Sequence, residues 1–171
     1  MTKIKNMEFL FSEKQKFNQW WVWLFLLALN ILFVYGIILQ VIFKIPFGNK
    51  PAPDALLIIF ALIPIGITWL IYRFELITGI TKEGIVFQLK PLHSEVQKIN
   101  WSQIKKAYVR TYSPLKEYGG WGYKFGTKGK AYNIRGNKGL QLELKNGQQI
   151  LIGTQKAEEL ERVISAVSEQ Q

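Results

Sequence analysis

Trp20 to Phe43 runs for 24 residues without one charged side chain, and 21 of them are hydrophobic. A helix needs roughly 20 apolar residues to cross the hydrocarbon core of a bilayer. A second uncharged block, Ala55 to Tyr72, has 15 hydrophobic residues of 18, near the short end of that range. Pro53-Asp54 before it makes a helix start with Asp54 as cap, and Arg73 and Glu75 mark its exit. In a chain of 171 residues, a soluble core could not surround the longer block on all sides. The expectation is two transmembrane helices, 20–43 and 55–72, joined by an external loop, 44–54. A cleaved signal peptide fits less well, because an ordinary apolar signal core has about 7–15 residues and a small-residue cleavage site after it. Neither holds here.

Lys and Arg near the span ends set the orientation. The segment 1–19 carries Lys3, Lys5, Lys14 and Lys16, the loop carries only Lys44 and Lys50, and most other basic residues follow Arg73. Both termini are therefore expected in the cytoplasm. Trp20, Trp21, Trp23, Trp69 and Tyr72 fall at the cytoplasmic block ends, where amphipathic rings are at ease. Met7, Leu10, Phe11, Lys14 and Phe17 recur at helical spacing, so Met7 to Asn18 reads either as an interfacial helix or as an extension of the first span. Gly36 and Gly66 could bring the two helices close, and Asn30 or Gln40 could bond across them. No charge lies inside either block, so nothing marks a transport pathway.

The remaining 73–171 alternates with period two over much of its length. Ile85, Phe87 and Leu89 share one face, as do Ala107, Val109 and Thr111, and Val96 to Trp101 reads as a further short strand. Leu140, Leu142 and Leu144 lead to Asn146-Gly147, and Ile150 and Ile152 return, as in a hairpin with a type I′ turn. The period then changes. Thr154 caps, Glu158 and Glu159 suit a first turn, and Leu160, Val163, Ile164 and Val167 form a helical stripe. Strands followed by one amphipathic helix predict an α+β, β-rich cytoplasmic domain, an antiparallel barrel or sandwich closed by the C-terminal helix. That order resembles the pleckstrin-homology-like fold.

The whole chain is also similar to a family of small uncharacterised bacterial membrane proteins with two N-terminal transmembrane helices and such a domain. The resemblance is carried by Trp101-Ser102-Gln103-Ile104, Tyr112-Ser113-Pro114, Glu117-Tyr118-Gly119-Gly120-Trp121-Gly122, Gly129-Lys130-Ala131-Tyr132-Asn133, Gly139-Leu140-Gln141-Leu142 and Ile152-Gly153-Thr154-Gln155. It implies a multi-pass protein of the bacterial inner, or plasma, membrane. It carries no activity. Eukaryotic pleckstrin-homology domains often bind phosphoinositides through a basic first hairpin. Here that hairpin offers only Lys82 and Lys90 around Glu83, so that specificity is not expected.

Lys98 to Lys138 holds ten basic residues and one acid, Glu117, for a net +9 of the chain's +10. Each Lys or Arg held against an anionic leaflet is worth roughly 1 kcal/mol. The expectation is a basic binding module docking anionic membrane lipid, with Lys124, Lys128, Lys130, Arg135 and Lys138 as binding residues. The alternative is an assembly scaffold that holds a protein partner, or a second copy in a homo-oligomer, by a sheet edge or by the Gly-Trp segment. Tyr118, Trp121, Tyr123, Tyr132 and Asn133 are the candidates there. The glycines between them suit backbone positions that need unusual φ or close approach, and Trp121 reads either as core or as a contact residue.

Catalysis is not expected. There is no Cys, one His (His93, read as an exposed loop residue) and no nucleophile-elbow serine. The same composition leaves no metal or cofactor set. Tyrosines interleave with the basic residues, but no nucleic-acid motif accompanies them, so no nucleic-acid partner is expected.

Overall fold

The computed structural model describes residues 8–126 and 129–168. The chain divides into a helical unit, Asn18–Arg73, and a β unit made of the residues up to Phe17 and from Phe74 onward.

The helical unit holds two helices long and apolar enough to span a membrane. Helix α1 covers Trp20–Ile37 and continues as a π-helical turn, Ile38–Ile42, while α2 covers Asp54–Arg73. At 1.5 Å per residue, the 20 residues of α2 give about 30 Å. Most of their large apolar side chains are exposed, Trp20, Phe25 and Leu62 among them. Asn30 Nδ2 bridges the helices, donating to Thr68 Oγ1 at 2.9 Å and to the Leu26 carbonyl at 2.7 Å. Gln40 bonds both the connecting loop and the first residue of the facing helix, Asp54. Its amide donates to the Ala52 carbonyl and to Asp54 Oδ1, and its Oε1 accepts from the Phe47 N–H. The expected close approach at the glycines is not found. Gly36 lies under the Phe47 ring, and Gly66 has open space where a side chain would begin.

Strand β1, Phe9–Lys16, replaces the helix or span extension expected there. Phe11, Glu13 and Gln15 point inward and are buried, while Ser12, Lys14 and Lys16 are exposed. Two of the three inward residues are polar, so hydrophobicity alone shows no alternation and the helical spacing of Leu10, Phe11, Lys14 and Phe17 stands out instead. Strand β1 pairs antiparallel with β2 (Glu75–Thr81), β2 with β3 (Gly84–Lys90) and β3 with β4 (Gln97–Asn100). Lys16 faces Glu75 in that register, so the strand ends that lead into α1 and out of α2 are neighbours.

The second sheet contains β5 (Ile104–Thr111), β6 (Gly122–Gly126), β7 (Gly129–Asn133), β8 (Lys138–Leu144) and β9 (Gln149–Gly153), in the order β5-β8-β9-β7-β6. Two short helices complete the unit, α3 (Pro114–Tyr118) and the longer C-terminal α4 (Ala157–Ser168). The β unit is thus α+β with two separate sheets, and the expected barrel is not closed. Nor is it wholly antiparallel, because β7 and β9 run parallel. The Asn146-Gly147 turn also differs from a type I′. Only Gly147 has positive φ (85°), and the Leu144 N–H donates to the Gln148 carbonyl across a three-residue loop.

The core lies between the sheets. Leu76, Ile80, Ile85, Phe87 and Leu89 meet Tyr132, Ile134, Leu140, Leu142 and Ile152, and α4 adds Leu160 and Ile164. Each buried Leu or Ile contributes about 1.5–3 kcal/mol relative to exposure. The inward polar residues of β1 find partners at the start of α4. Thr154 Oγ1 donates to Glu13 Oε2 at 2.6 Å, the Gln155 N–H donates to Glu13 Oε1 at 2.8 Å, and Gln15 Nε2 donates to the Gly153 carbonyl at 2.7 Å. Thr154 Oγ1 also accepts from the Lys156 N–H in the turn that leads into α4, but the helix starts at Ala157, so Thr154 is not its cap residue as expected.

Candidate functional site

The outer face of the second sheet carries a polar cluster covered by α3. Pro114 suits the first turn of that helix. Its end comes at Gly119, whose φ of 71° lies in the left-handed region that favours glycine. Gly126 of β6 lies directly beneath, and a Cβ there would stand 2.1 Å from the Glu117 carbonyl oxygen. Two of the glycines around Trp121 are therefore explained by one helix end and one close approach.

Arg110 of β5 organises this cluster. Its Nε donates to Gln141 Oε1 at 2.9 Å, and its Nη2 lies 2.8 Å from Glu117 Oε2 and 3.3 Å from the Tyr118 hydroxyl. Burial works against the charged guanidinium, but the Glu117 carboxylate outweighs it and holds the Arg110 pKa above its ordinary value. Beside it, Asn133 is fully buried. Its Oδ1 accepts from the Gly122 N–H at 2.8 Å, and its Nδ2 donates to the Tyr112 hydroxyl at 2.9 Å. Burial pushes the Tyr112 phenol up to about 12, so at neutral pH it is a neutral donor and acceptor and no base. Tyr118 is buried against Tyr112, with ring centroids 6.0 Å apart.

A second group closes the space between the sheets. Tyr123 and Tyr132 stack at 5.0 Å with planes 18° apart, and Tyr132 also meets Phe87 and His93. His93 is thus half-buried in an aromatic stack rather than an exposed loop residue. Its Nδ1 accepts from the Leu89 N–H, and burial lowers its pKa. Burial, and then the neighbouring Tyr123, push the Tyr132 phenol up to about 12.

The residues expected to bind thus fall into separate places. Tyr118, Tyr132 and Asn133 are buried and structural. Trp121 is 39% exposed, with its Nε1 donating to the Gly136 carbonyl at 3.0 Å, so it belongs to the surface more than to the core. Lys124 and Lys130 are half-buried on β6 and β7, and the Lys130 ammonium stands 5.9 Å from the Phe125 ring centroid. Arg135 and the exposed Lys138 lie toward the start of α4, where Gln155 Nε2 donates to the Arg135 carbonyl. Lys128 lies outside the described residues. Lys105 and Lys106 sit on β5, at the opposite edge of the sheet from β6. Four strand spacings separate those edges, about 19 Å. The described basic residues are therefore spread over the full width of the sheet.

Sequence reasoning passed over Arg110 with Glu117, and Glu13 with Gln15. The partners within each set are brought together only by the folded sheets, and no local spacing marks them. Among the described residues, no three His, Asp or Glu side chains gather as a metal site would need.

These features define a class: an α+β protein in which two apolar helices are inserted between neighbouring strands of a two-sheet β unit. The chain belongs to a family of unknown function, DUF6141, which matches residues 3–170. No curated protein and no solved structure matches it.

Proposed function

We propose that the chain is a non-enzymatic, multi-pass protein of the bacterial plasma membrane. Its helices form a spanning hairpin, and its β unit is a basic docking module at the cytoplasmic surface. One observation carries this reading. Strands β1 and β2 pair with Lys16 opposite Glu75, and the membrane helices join them through connectors of three residues (17–19) and one residue (Phe74). Three extended residues reach about 10 Å, so the hairpin and the module are joined only by short tethers, both of them at the paired ends of β1 and β2. The Lys and Arg balance supports the cytoplasm as the module's side. The two sheets and single C-terminal helix support a pleckstrin-homology-like affinity, from which the parallel β7–β9 pair departs.

At such a surface the positive charge favours anionic head groups. The test uses the full chain, because a fragment starting at Arg73 lacks β1. Amide exchange is compared in nanodiscs of neutral and of anionic lipid. Anionic lipid is expected to slow exchange in at least one of the segments holding Lys105–Arg110, Lys124–Lys130 or Lys138, and salt near 0.5 M is expected to reverse it because screening is then strong. Identical exchange in the two lipids would refute lipid docking.

A further inference from the structure

We propose that the free edge of β6 accepts an extended acidic peptide segment as an added strand. This goes beyond the lipid reading and rests on a different observation, the unequal protection of the sheet edges.

An exposed strand edge presents unpaired backbone donors and acceptors, and proteins blunt such edges with bulges, lysines, short strands or covering elements. Three of the four edges here are blunted. Strand β1 has a register shift between Phe9 and Phe11, carries Lys14 and Lys16 and packs against α4. Strand β4 has only four residues, including Lys98. Strand β5 has a register shift between Ile104 and Lys106 and exposes Lys105 and Lys106.

Strand β6 is also short, carries Lys124 and packs against α3, but it has no register shift: its pairing with β7 is regular from Gly122 to Gly126, and among the described residues no strand lies on its other side. Two residues separate Gly126 from Gly129, so alternation along the ladder turns the backbone groups of Tyr123 and Phe125 outward. Apolar surface flanks this edge. Phe125 is 67% exposed, Trp121 stands just before the strand, and Leu115 is exposed on α3. Strand addition uses this combination, with main-chain bonds for affinity and side-chain contacts for selectivity.

Charge selects the occupant. Lys116, Lys124 and Lys130 lie on α3, β6 and β7, and the carboxylate among them, Glu117, is paired with Arg110 at 2.8 Å. An acidic segment complements this edge. A second copy of β6 does not, because it brings Lys124 toward another Lys124.

The full chain in nanodiscs of neutral phosphatidylcholine is exposed to a library of terminally blocked octapeptides. Alternate positions are fixed as Glu in one set and as Lys in the other, and the remaining positions vary among Val, Ile, Thr and Tyr. The Glu set is expected to be retained about tenfold over the Lys set, the scale of one or two charge contacts exchanged for repulsions, with slower exchange at the β6 amides. Phe125→Pro removes an outward N–H at an edge that tolerates proline and is expected to abolish retention. Lys124→Ala with Lys130→Ala is expected to erase the preference for Glu. Peptides N-methylated at alternate residues leave the protein untouched and are expected not to bind. Equal retention of the two sets, no retention, full binding by the Phe125→Pro variant, or binding of the N-methylated peptides overturns the proposal. Because the assay uses neutral lipid, its failure is separate from failure of lipid docking.

Discussion

Glu13→Ala is expected to loosen β1 from the β unit. The carboxylate is 6% exposed and accepts two hydrogen bonds, from Thr154 Oγ1 at 2.6 Å and from the Gln155 N–H at 2.8 Å. A hydrogen bond to a charged group contributes about 1.5–3 kcal/mol, and a buried donor left unpaired costs about 1–3 kcal/mol. Removing the charge also recovers part of its desolvation penalty. The net loss is expected near 2–3 kcal/mol, of which Glu13→Gln, with one neutral acceptor kept, recovers about half. Amide exchange of β1 and α4 in the full chain, at graded urea in detergent micelles, reads the loss where it occurs and leaves the helical unit as internal control. A double-mutant cycle with Thr154→Val is expected to show coupling of about 1 kcal/mol or more. A Glu13→Ala cost under about 0.5 kcal/mol, or no coupling to Thr154, would refute the reasoning that this carboxylate holds β1 to the start of α4.

Other perturbations test neighbouring parts. Asn133→Ala strands the Gly122 N–H and removes the bond to Tyr112, and its expected cost in thermal unfolding is about 2–3 kcal/mol. Gly126→Ala drives a methyl into the Glu117 carbonyl and is expected to displace α3, seen as faster exchange across 114–119. The phenols of Tyr112 and Tyr132, pushed up to about 12, stay neutral in the fold while an unfolded tyrosine ionises near 10. Their stabilisation is therefore complete below pH 10 and is lost as the pH rises from there to about 12. Unfolding followed across that window, with Tyr112→Phe and Tyr132→Phe flattening the slope, checks the sign. Asn30→Leu removes the bond to Thr68 and is expected to weaken the helix pair by about 0.6 kcal/mol, measured by steric trapping in bilayers.

What the sequence revealed follows the reach of each signal. The two apolar helices and α4 were legible because their patterns are long and local, and the α4 stripe at Leu160 and Ile164 is buried as its spacing predicts. The β8–β9 pair was legible because Asn146-Gly147 joins two apolar runs across a short turn, and β3 because Ile85, Phe87 and Leu89 recur at period two. Strand β1 was not, since Glu13 and Gln15 take inward positions and are satisfied by residues more than 130 positions away. Helix α3 has five residues, too few for periodicity to register. The parallel β7–β9 pair leaves no local mark at all. Order along the chain likewise leaves the placement of the basic residues unmarked, since Lys105 and Lys124 lie on opposite edge strands. Trp121 shows it at the scale of one side chain, where aromatic character left core and contact both open and the folded backbone of Gly136 supplies its partner.

The topology is tested most directly by single-cysteine labelling, which the absence of native Cys makes clean. Ser12→Cys on β1, Lys50→Cys in the helix connection and Gln148→Cys in the β8–β9 loop are all at exposed positions. Intact cells are treated with a membrane-impermeant maleimide, and again after permeabilisation. The account predicts that Lys50→Cys is labelled from outside, while Ser12→Cys and Gln148→Cys react only after permeabilisation. Labelling of Ser12→Cys and Gln148→Cys from opposite sides, or of Lys50→Cys only from within, would contradict a hairpin that holds the β unit at the cytoplasmic surface.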